Sequence, residues 1–109
     1  MGAELRRGEV RWYRFAAPNK ERPVLLLTRT TSLGHLSHVT IAEITSVVRD
    51  VPSQVSLTTA DGLPRDCAVN LHHIQTVSQS LLGPLITTLS EARMDAVRKA
   101  ALFALDLGP

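Results

Sequence analysis

Arg22 is the first residue of the chain whose type and position suggest chemistry. It precedes Pro23, which disfavours helical backbone at Arg22, and it opens the apolar run at residues 24–27. An arginine at a junction between a loop and a strand projects its planar guanidinium from a rigid base, which suits binding of an anion such as phosphate. The alternative is a surface ion pair with Glu9 or Glu21, and position alone favours that alternative.

Thr45 and Ser46 place two adjacent hydroxyl groups at the end of another predicted strand. A hydroxyl donates one hydrogen bond, so either side chain is able to bind a phosphate oxygen. The alternative is an ordinary transition from strand to turn, where threonine and serine are common. By itself, this pair therefore indicates little.

The four histidines are the side chains able to exchange protons near neutral pH. His35 and His38 share a predicted loop, whereas His72 and His73 are adjacent and would point to opposite faces of a strand. No HExxH or comparable spacing occurs, and the single cysteine makes no cysteine-based metal site. We therefore predict no metal and no other cofactor, and a solvated or hydrogen-bonded role is the commoner one for each histidine.

Two further pairs carry chemistry in other proteins. Arg65 and Asp66 follow a Gly-Leu-Pro turn, and a local ion pair without function is the default interpretation. Trp12 and Tyr13 lie between arginines, an arrangement able to stack RNA bases, although such aromatics more often anchor a core. One of the two should face inward and the other outward. Glycine-rich phosphate loops, GxSxG and CxxC are absent, so nothing supports a nucleotide cofactor or a serine hydrolase.

The composition is that of an ordinary folded domain. The chain has 109 residues, 44% hydrophobic and 20% charged, which predicts one domain over residues 1–109. Ten of its twelve basic residues are arginine, and the excess lies in residues 1–35, with seven basic and three acidic residues. This bias favours phosphate partners, although GC-rich genes produce it too. Without a long apolar run or a secretory signal, we expect a cytoplasmic protein that makes no membrane contact.

Short apolar runs separated by turn residues predict a mainly β fold. The continuously apolar run at residues 24–27 is typical of a strand buried on both faces. Loops are predicted at residues 16–21 and 30–38, and a turn at residues 61–64. The predicted strands cover residues 9–15, 23–28, 39–44, 54–58, 67–71 and 74–77, with a last one at 85–88.

The last segment predicts a helix over about residues 90–107. Ser90 is a good N-cap, and Glu91 favours the positive end of the helix dipole. Gly108 is predicted to end the helix. Apolar residues recur at helical spacing at Met94, Val97, Ala101 and Leu105. The elements together predict a small barrel or twisted sheet capped by a C-terminal helix.

Five motifs occur in an order that is specific in combination, although each one alone is weak. They are Arg7-Gly8-Glu9-Val10 with Trp12, Tyr13 and Phe15; Arg22-Pro23-Val24-Leu25; Ala42-Glu43-Ile44-Thr45-Ser46; Gly62-Leu63-Pro64-Arg65-Asp66-Cys67-Ala68-Val69; and Ile74-Gln75-Thr76-Val77. This order resembles the MazF/PemK/Kid family of bacterial toxins from toxin–antitoxin pairs. The resemblance extends from about Arg6 to the terminal helix.

The resemblance implies an SH3-like β-barrel with a C-terminal helix, assembled as a homodimer. It implies a metal-independent, ribosome-independent endoribonuclease that cuts single-stranded RNA at a short sequence. It also implies an antitoxin whose C-terminal segment folds on the toxin and blocks the RNA groove, and we expect that segment to be acidic. In such toxins the residues matching Arg22 and Thr45 act at the scissile phosphate. Further candidates for RNA binding are Lys20, Arg29, His35, His38, Ser46, Arg65 and Asp66.

The implied reaction is attack of the RNA 2′-hydroxyl on the adjacent phosphate, giving a 2′,3′-cyclic phosphate and a 5′-hydroxyl. Arg22 would stabilise the developing charge and Thr45 would donate a hydrogen bond to a phosphate oxygen. Arginine stays protonated and is a poor base, so the base is open among His35, His38 and Glu21. The asparagines common after the second strand of the family are absent, so the RNA sequence preference does not carry over.

Two classes without enzymatic activity are alternatives. A gyrase poison of the CcdB type shares the barrel, but its Trp-Gly-Ile tail is replaced here by Asp-Leu-Gly-Pro. An inactive SH3-like binding module is the other. Growth arrest that survives Arg22→Ala would favour either of these classes over the ribonuclease.

Overall fold

The computed structural model describes residues 5–16 and 21–108. The elements are β1 (Glu9–Arg14), β2 (Glu21–Leu26), α1 (Thr30–Leu33), β3 (His38–Thr45), β4 (Gln54–Leu57), β5 (Cys67–Ser78), β6 (Leu82–Thr88) and α2 (Glu91–Leu105). The strands form one antiparallel sheet in the order β4-β5-β3-β2-β1-β6, and the long helix α2 lies at the C-terminal end of the described residues. Short 3-10 turns at Thr59–Asp61 and Gln79–Leu81 connect strands.

The predicted mainly β fold with a C-terminal helix is confirmed. In the described part of the chain the strands form one open sheet whose edges are β4 and β6, not a closed ring. The predicted loop at residues 30–38 begins with the short helix α1. None of the helices in the described ranges is both long and apolar enough to cross a membrane.

The sheet is buried on both faces, and β2 is where this is clearest. Leu25 belongs to one cluster, which α2 covers through Val97 and Ala100. Val24 and Leu26 belong to a second cluster on the opposite face. The prediction that the apolar run forms a strand buried on both sides is therefore confirmed. Because β2 is an interior strand packed on both faces, the backbone of Arg22, near the start of the strand, is held in place.

Helix α2 begins as predicted and ends earlier. The Ser90 hydroxyl accepts a hydrogen bond from the backbone N–H of Arg93 at 3.1 Å, which confirms the N-cap. The C-cap is Asp106, whose left-handed backbone (φ 55°) reverses the chain two residues before Gly108, so the predicted end was wrong. Leu105 is exposed, whereas Ala100 is buried, so the apolar stripe is shifted from the predicted one.

Strand β5 replaces the two short strands predicted at residues 67–71 and 74–77. Its pairing with β3 jumps from Ala42–Ile74 to Glu43–Asn70, so residues 71–73 form a bulge. The Leu71 side chain is buried and its N–H donates to the carbonyl of Ser53 at 2.9 Å. The bulge interrupts the alternation of side chains, which is the physical reason for the gap in the sequence pattern.

Candidate active site at Arg22 and Thr45

Two clefts of about 490 Å³ each meet at Arg22, Ile44 and Thr45. We call them the first cleft and the second cleft. The first cleft lies between β1, β2, the end of β3 and the segment before β5, and its lining includes Trp12, Arg22, Thr45, Ser46, Leu63 and Arg65. The second lies between β3, the loop before β4, and β5, and its lining includes Arg22, Glu43, Arg49, Asn70, His72 and His73.

Strand register brings Arg22 and Thr45 to one place. Arg22 pairs with Tyr13 on β1, and the ladder between β2 and β3 starts at Val24–Glu43. The same antiparallel register, continued by two residues, puts Arg22 level with Thr45, the last residue of β3. The shared lining of both clefts is a direct consequence.

Arg22 has an unoccupied guanidinium. The two carboxylates proposed as alternative partners are taken by other arginines: Glu9 binds Arg11 at 2.8 Å, and Glu21 lies 3.7 Å from Arg14. Within the described ranges Arg22 makes no ion pair, and its side chain is exposed. The surface ion pair that position alone favoured is therefore not formed, and the planar fork remains available to an anion.

Thr45 retains a hydroxyl proton for a ligand. Its Oγ1 accepts a hydrogen bond from the N–H of Val47 at 3.1 Å, which fixes the side chain in a turn. A hydroxyl has one proton and two lone pairs, so accepting this bond leaves the O–H free to donate. Ser46 is exposed next to it and lines the first cleft.

The two clefts carry an excess of positive charge. Arg65 in the first cleft and Arg49 in the second have no ion-pair partner among the residues that the structure describes. Glu43 accepts a hydrogen bond from the side-chain amide of Gln75 at 2.6 Å. The carboxylates of the two clefts are Glu21 in the first and Glu43 in the second, so the three arginines leave a net positive charge around the junction, an arrangement that attracts a polyanion.

The outer wall of the first cleft, residues 63–65, is held by Asp61. The Asp61 carboxylate binds Arg93 of α2 at 2.9 and 3.2 Å and accepts the Thr58 N–H at 2.8 Å. The bond to Arg93 lowers the pKa of Asp61 below its ordinary value, against the opposing effect of burial. Gly62 follows with φ +96°, where a Cβ would overlap the Thr87 side chain. This anchoring fixes the wall relative to the helix.

Cys67 closes the inner wall of the first cleft and is buried. Burial, together with the nearby carboxylates of Asp61 and Asp66, raises the pKa of the Cys67 thiol. A raised pKa keeps the sulfur protonated at neutral pH, so the thiol packs as a small apolar group rather than acting as a nucleophile.

The structure brings some predicted site residues together and separates others. Arg22, Thr45, Ser46 and Arg65 line the first cleft, as does Glu21, one of the three candidates for the base. His38 begins β3 and Thr45 ends it, about 23 Å away at ~3.3 Å per residue. The separated residues are His35, His38, Arg29 and Asp66, all exposed and outside both clefts, while Lys20 lies outside the described residues.

The structure also places two pairs of neighbouring residues that the sequence analysis considered, the aromatics of β1 and the histidines of β5. Trp12 faces the first cleft while Tyr13 is buried, with its ring 4.8 Å from that of Phe15, so the predicted split between inward and outward aromatics is confirmed. His72 and His73 both line the second cleft, so the expectation of opposite faces was wrong. The bulge in β5 is the cause. Across the described ranges, no three His, Cys, Asp or Glu side chains cluster in a way that could hold a metal ion.

Comparison with protein-family models gives one match that spans nearly all of the described chain. Residues 6–105 match the model for PemK-like, MazF-like toxins of type II toxin-antitoxin systems. Among curated proteins, the chain is 35% identical over 107 residues to the probable endoribonuclease MazF5 of Mycobacterium tuberculosis, covering 97% of both. It is 36% identical over 91 residues to the probable endoribonuclease MazF2 of that organism, covering 83% of this chain and 87% of the relative.

Solved structures that superpose on this chain include proteins named as toxins and endoribonucleases. The Mycobacterium tuberculosis toxin MazF-mt6 superposes with a TM-score of 0.85 at 32% identity, covering 93% of this chain and 99% of that chain. An endoribonuclease in complex with its cognate antitoxin, from a mycobacterial species, superposes with a TM-score of 0.86 at 24% identity, covering 96% and 98%. At that identity the second similarity shows the fold alone.

Proposed function

The chain belongs to the family of PemK-like, MazF-like toxins of type II toxin-antitoxin systems, and we propose that it acts as an endoribonuclease toxin on single-stranded RNA. Its relatives at 35% and 36% identity are named probable endoribonucleases. The observation that carries the proposal is the unpaired Arg22 beside the Thr45 hydroxyl, at the junction of two positively charged clefts.

The proposed chemistry is transfer of the phosphate to the neighbouring 2′-oxygen. The 2′-oxygen bonds to phosphorus as the bond to the 5′-oxygen breaks, which leaves a 2′,3′-cyclic phosphate and a 5′-hydroxyl. Arg22 binds two phosphate oxygens and stabilises the charge that develops there, while Thr45 donates its O–H to a non-bridging oxygen. Each of these donors is expected to contribute about 10²- to 10³-fold to the rate.

The two clefts are the proposed path of the RNA on either side of the reacting phosphate. Trp12 offers an aromatic face to a base in the first cleft, and Arg65 and Arg49 bind flanking phosphates. Unpaired, splayed bases are required for such stacking, which supports a single-stranded substrate. Ser46 adds a second hydroxyl next to the junction.

A cognate antitoxin is the proposed protein partner, and the cleft charge favours an acidic segment that covers the RNA path. The same proposal includes a homodimer, one domain over residues 1–109, action in the cytoplasm without a cofactor, and a sheet coiled as in an SH3-like barrel. Because salt screens the attraction between exposed charges, we expect the affinity for the antitoxin to fall as salt rises from about 0.1 to about 1 M.

The test is cleavage of a mixed RNA pool by purified protein, with end mapping, beside Arg22→Ala and Thr45→Ala. We expect cuts at one short sequence with 5′-hydroxyl ends, lost in both variants. Replacing the target ribose by 2′-deoxyribose should abolish cutting at that site, and undiminished cutting would contradict the mechanism. Growth arrest that persists in Arg22→Ala would instead favour a gyrase poison or a binding module.

A further inference from the structure

The second cleft contains two imidazoles that the proposed reaction has not used. The bulge at residues 71–73 interrupts the alternation of side chains along β5, and both His72 and His73 line the cleft that also contains Arg22 and Thr45. Both histidines are exposed. The charged groups that line this cleft with them are Arg22 from β2, Glu43 from β3 and Arg49 from the following loop.

Arg22 and Thr45 do not supply the proton acceptor that the reaction requires. Both are hydrogen-bond donors toward phosphate, and neither accepts the proton of a 2′-hydroxyl at neutral pH. Glu43 is the carboxylate of the second cleft, and its half-buried oxygen accepts a hydrogen bond from Gln75 at 2.6 Å, whereas Glu21 lines only the first cleft and lies 3.7 Å from Arg14. An imidazole is the side chain whose ordinary titration range suits proton transfer at neutral pH.

Asn70 distinguishes the two histidines. Its side-chain oxygen accepts the backbone N–H of His72 at 3.1 Å, which turns its amide nitrogen toward Nδ1 of His73 at 3.5 Å. An amide nitrogen only donates, so Nδ1 of His73 is the acceptor and the proton of the neutral ring resides on Nε2. Within the described ranges the ring of His72 has no such partner, so either of its nitrogens is free to take a proton.

We propose that His72 is the general base of the cleavage reaction and that His73 donates an Nε2–H hydrogen bond to the reacting phosphate. The inference rests on the proposed ribonuclease function. The neutral His72 ring takes the proton of the 2′-hydroxyl as the 2′-oxygen bonds to phosphorus. The bond from phosphorus to the 5′-oxygen breaks, and water protonates that oxygen. The imidazolium of His72 then loses its proton to solvent.

The test of His72 is the pH dependence of single-turnover cleavage of an RNA containing the mapped site. His72→Ala should lower the rate about 10²- to 10⁴-fold and remove the dependence of the wild-type rate on pH that a general base imposes. Added imidazole should restore part of the lost rate, which a merely structural role would not allow. Cleavage by His72→Ala within about twofold of wild type, with the same pH dependence, would overturn the assignment.

The test of His73 separates a hydrogen-bond donor from a base. His73→Gln, which keeps an N–H donor, should retain more activity than His73→Ala, and both should keep the pH dependence of wild type. Equal and unchanged rates in both variants would overturn this part of the proposal. Thr76→Ala, an exposed position of the same strand outside both clefts, is the control for effects of substitution on β5.

Two measurements keep the inference separate from the proposed function. Binding of RNA carrying 2′-deoxyribose at the cleavage site should be nearly unchanged in His72→Ala, which shows that the variant is folded and binds substrate. Wild-type cleavage that is lost in Arg22→Ala but retained in His72→Ala contradicts only the role of His72. Absence of wild-type cleavage contradicts the ribonuclease itself and, with it, this inference.

Discussion

Two regions of the molecule use arginine in opposite ways. Beside the β1–β6 edge and along α2, Arg11 and Arg93 are tied to carboxylates, at 2.8 Å to Glu9 and 2.9 Å to Asp61. Around the two clefts, Arg22 and two other arginines lack such partners in the described part of the chain. The same side chain therefore stabilises the scaffold in one region and stays available to an anionic ligand in the other. We expect this difference to separate residues that determine stability from residues that determine activity.

The largest expected contrast is between Arg22→Ala and Arg11→Ala. Removing Arg22 should lower cleavage about 10²- to 10³-fold while the free energy of unfolding changes by less than about 0.5 kcal/mol, since the side chain is exposed and unpaired. Removing Arg11 leaves Glu9 buried without its partner and should cost about 3 kcal/mol of stability. Cleavage per folded molecule should then stay near wild type.

The measurement pairs urea unfolding with single-turnover cleavage for both variants. The comparison fails if Arg22→Ala is strongly destabilised, because the loss of activity would then follow from unfolding. It also fails if Arg11→Ala lowers activity as much as Arg22→Ala while remaining folded.

Thr45 gives a contrast at a single position. Thr45→Val keeps the branched shape suited to a strand end and removes the hydroxyl, so cleavage should fall about 10²-fold or more. Thr45→Ser keeps the hydroxyl and should retain most of the activity. The measurement is the cleavage rate of each variant on the mapped RNA site. Equal rates for the two variants would mean that the hydroxyl does not contact the phosphate.

The pH dependence of stability tests the role of Asp61 in the scaffold region. Its pKa is lowered in the folded protein, so its stabilising contribution is present above the unfolded value of about 3.9 and is lost as pH falls through the lower folded value. Asp61→Asn should cost about 1 kcal/mol at pH 7 and flatten the loss of stability between about pH 5 and 3. Thermal unfolding across this range, with the exposed Asp66→Asn as control, checks both effects. An unchanged acid profile would contradict the assignment.

The sequence predicted the scaffold better than the site. Short apolar runs separated by turn residues identified the strands, and the continuous run at residues 24–27 identified the buried centre of the sheet. The pairing of Glu9 with Arg11 was also within reach, because residues two apart share one face of a strand. That pairing would have left Arg22 without one of its two proposed partners.

The second cleft could not be predicted from the sequence because its lining depends on the bulge in β5. Alternation predicts opposite faces for His72 and His73, and only the register jump between β3 and β5 shows that they share one. Arg49 is in an irregular loop whose path no periodicity describes. Its position follows from Gln54, whose amide bonds the backbone of Arg49 and Val47 at 2.8 and 3.3 Å. Hydrogen bonds between a side chain and the backbone of a loop leave no periodic pattern in the sequence.

The smallest expected effects belong to Arg49 and Arg65, which are exposed and flank the junction. Each variant, Arg49→Ala or Arg65→Ala, should weaken binding of uncleavable 2′-deoxy-substituted RNA a few-fold, because one phosphate contact in a screened setting contributes little. The slope of log affinity against log salt should fall by about 0.7 for each lost contact.

Arg98→Ala is the matched control for these two variants, since Arg98 is also exposed but is paired with Asp95 on α2, away from the clefts. Its binding and salt slope should equal those of wild type. A reduced slope in all three variants would mean that RNA senses only the net charge of the protein. A reduced slope in Arg49→Ala and Arg65→Ala alone would mean that the RNA backbone follows both clefts, one on each side of Arg22.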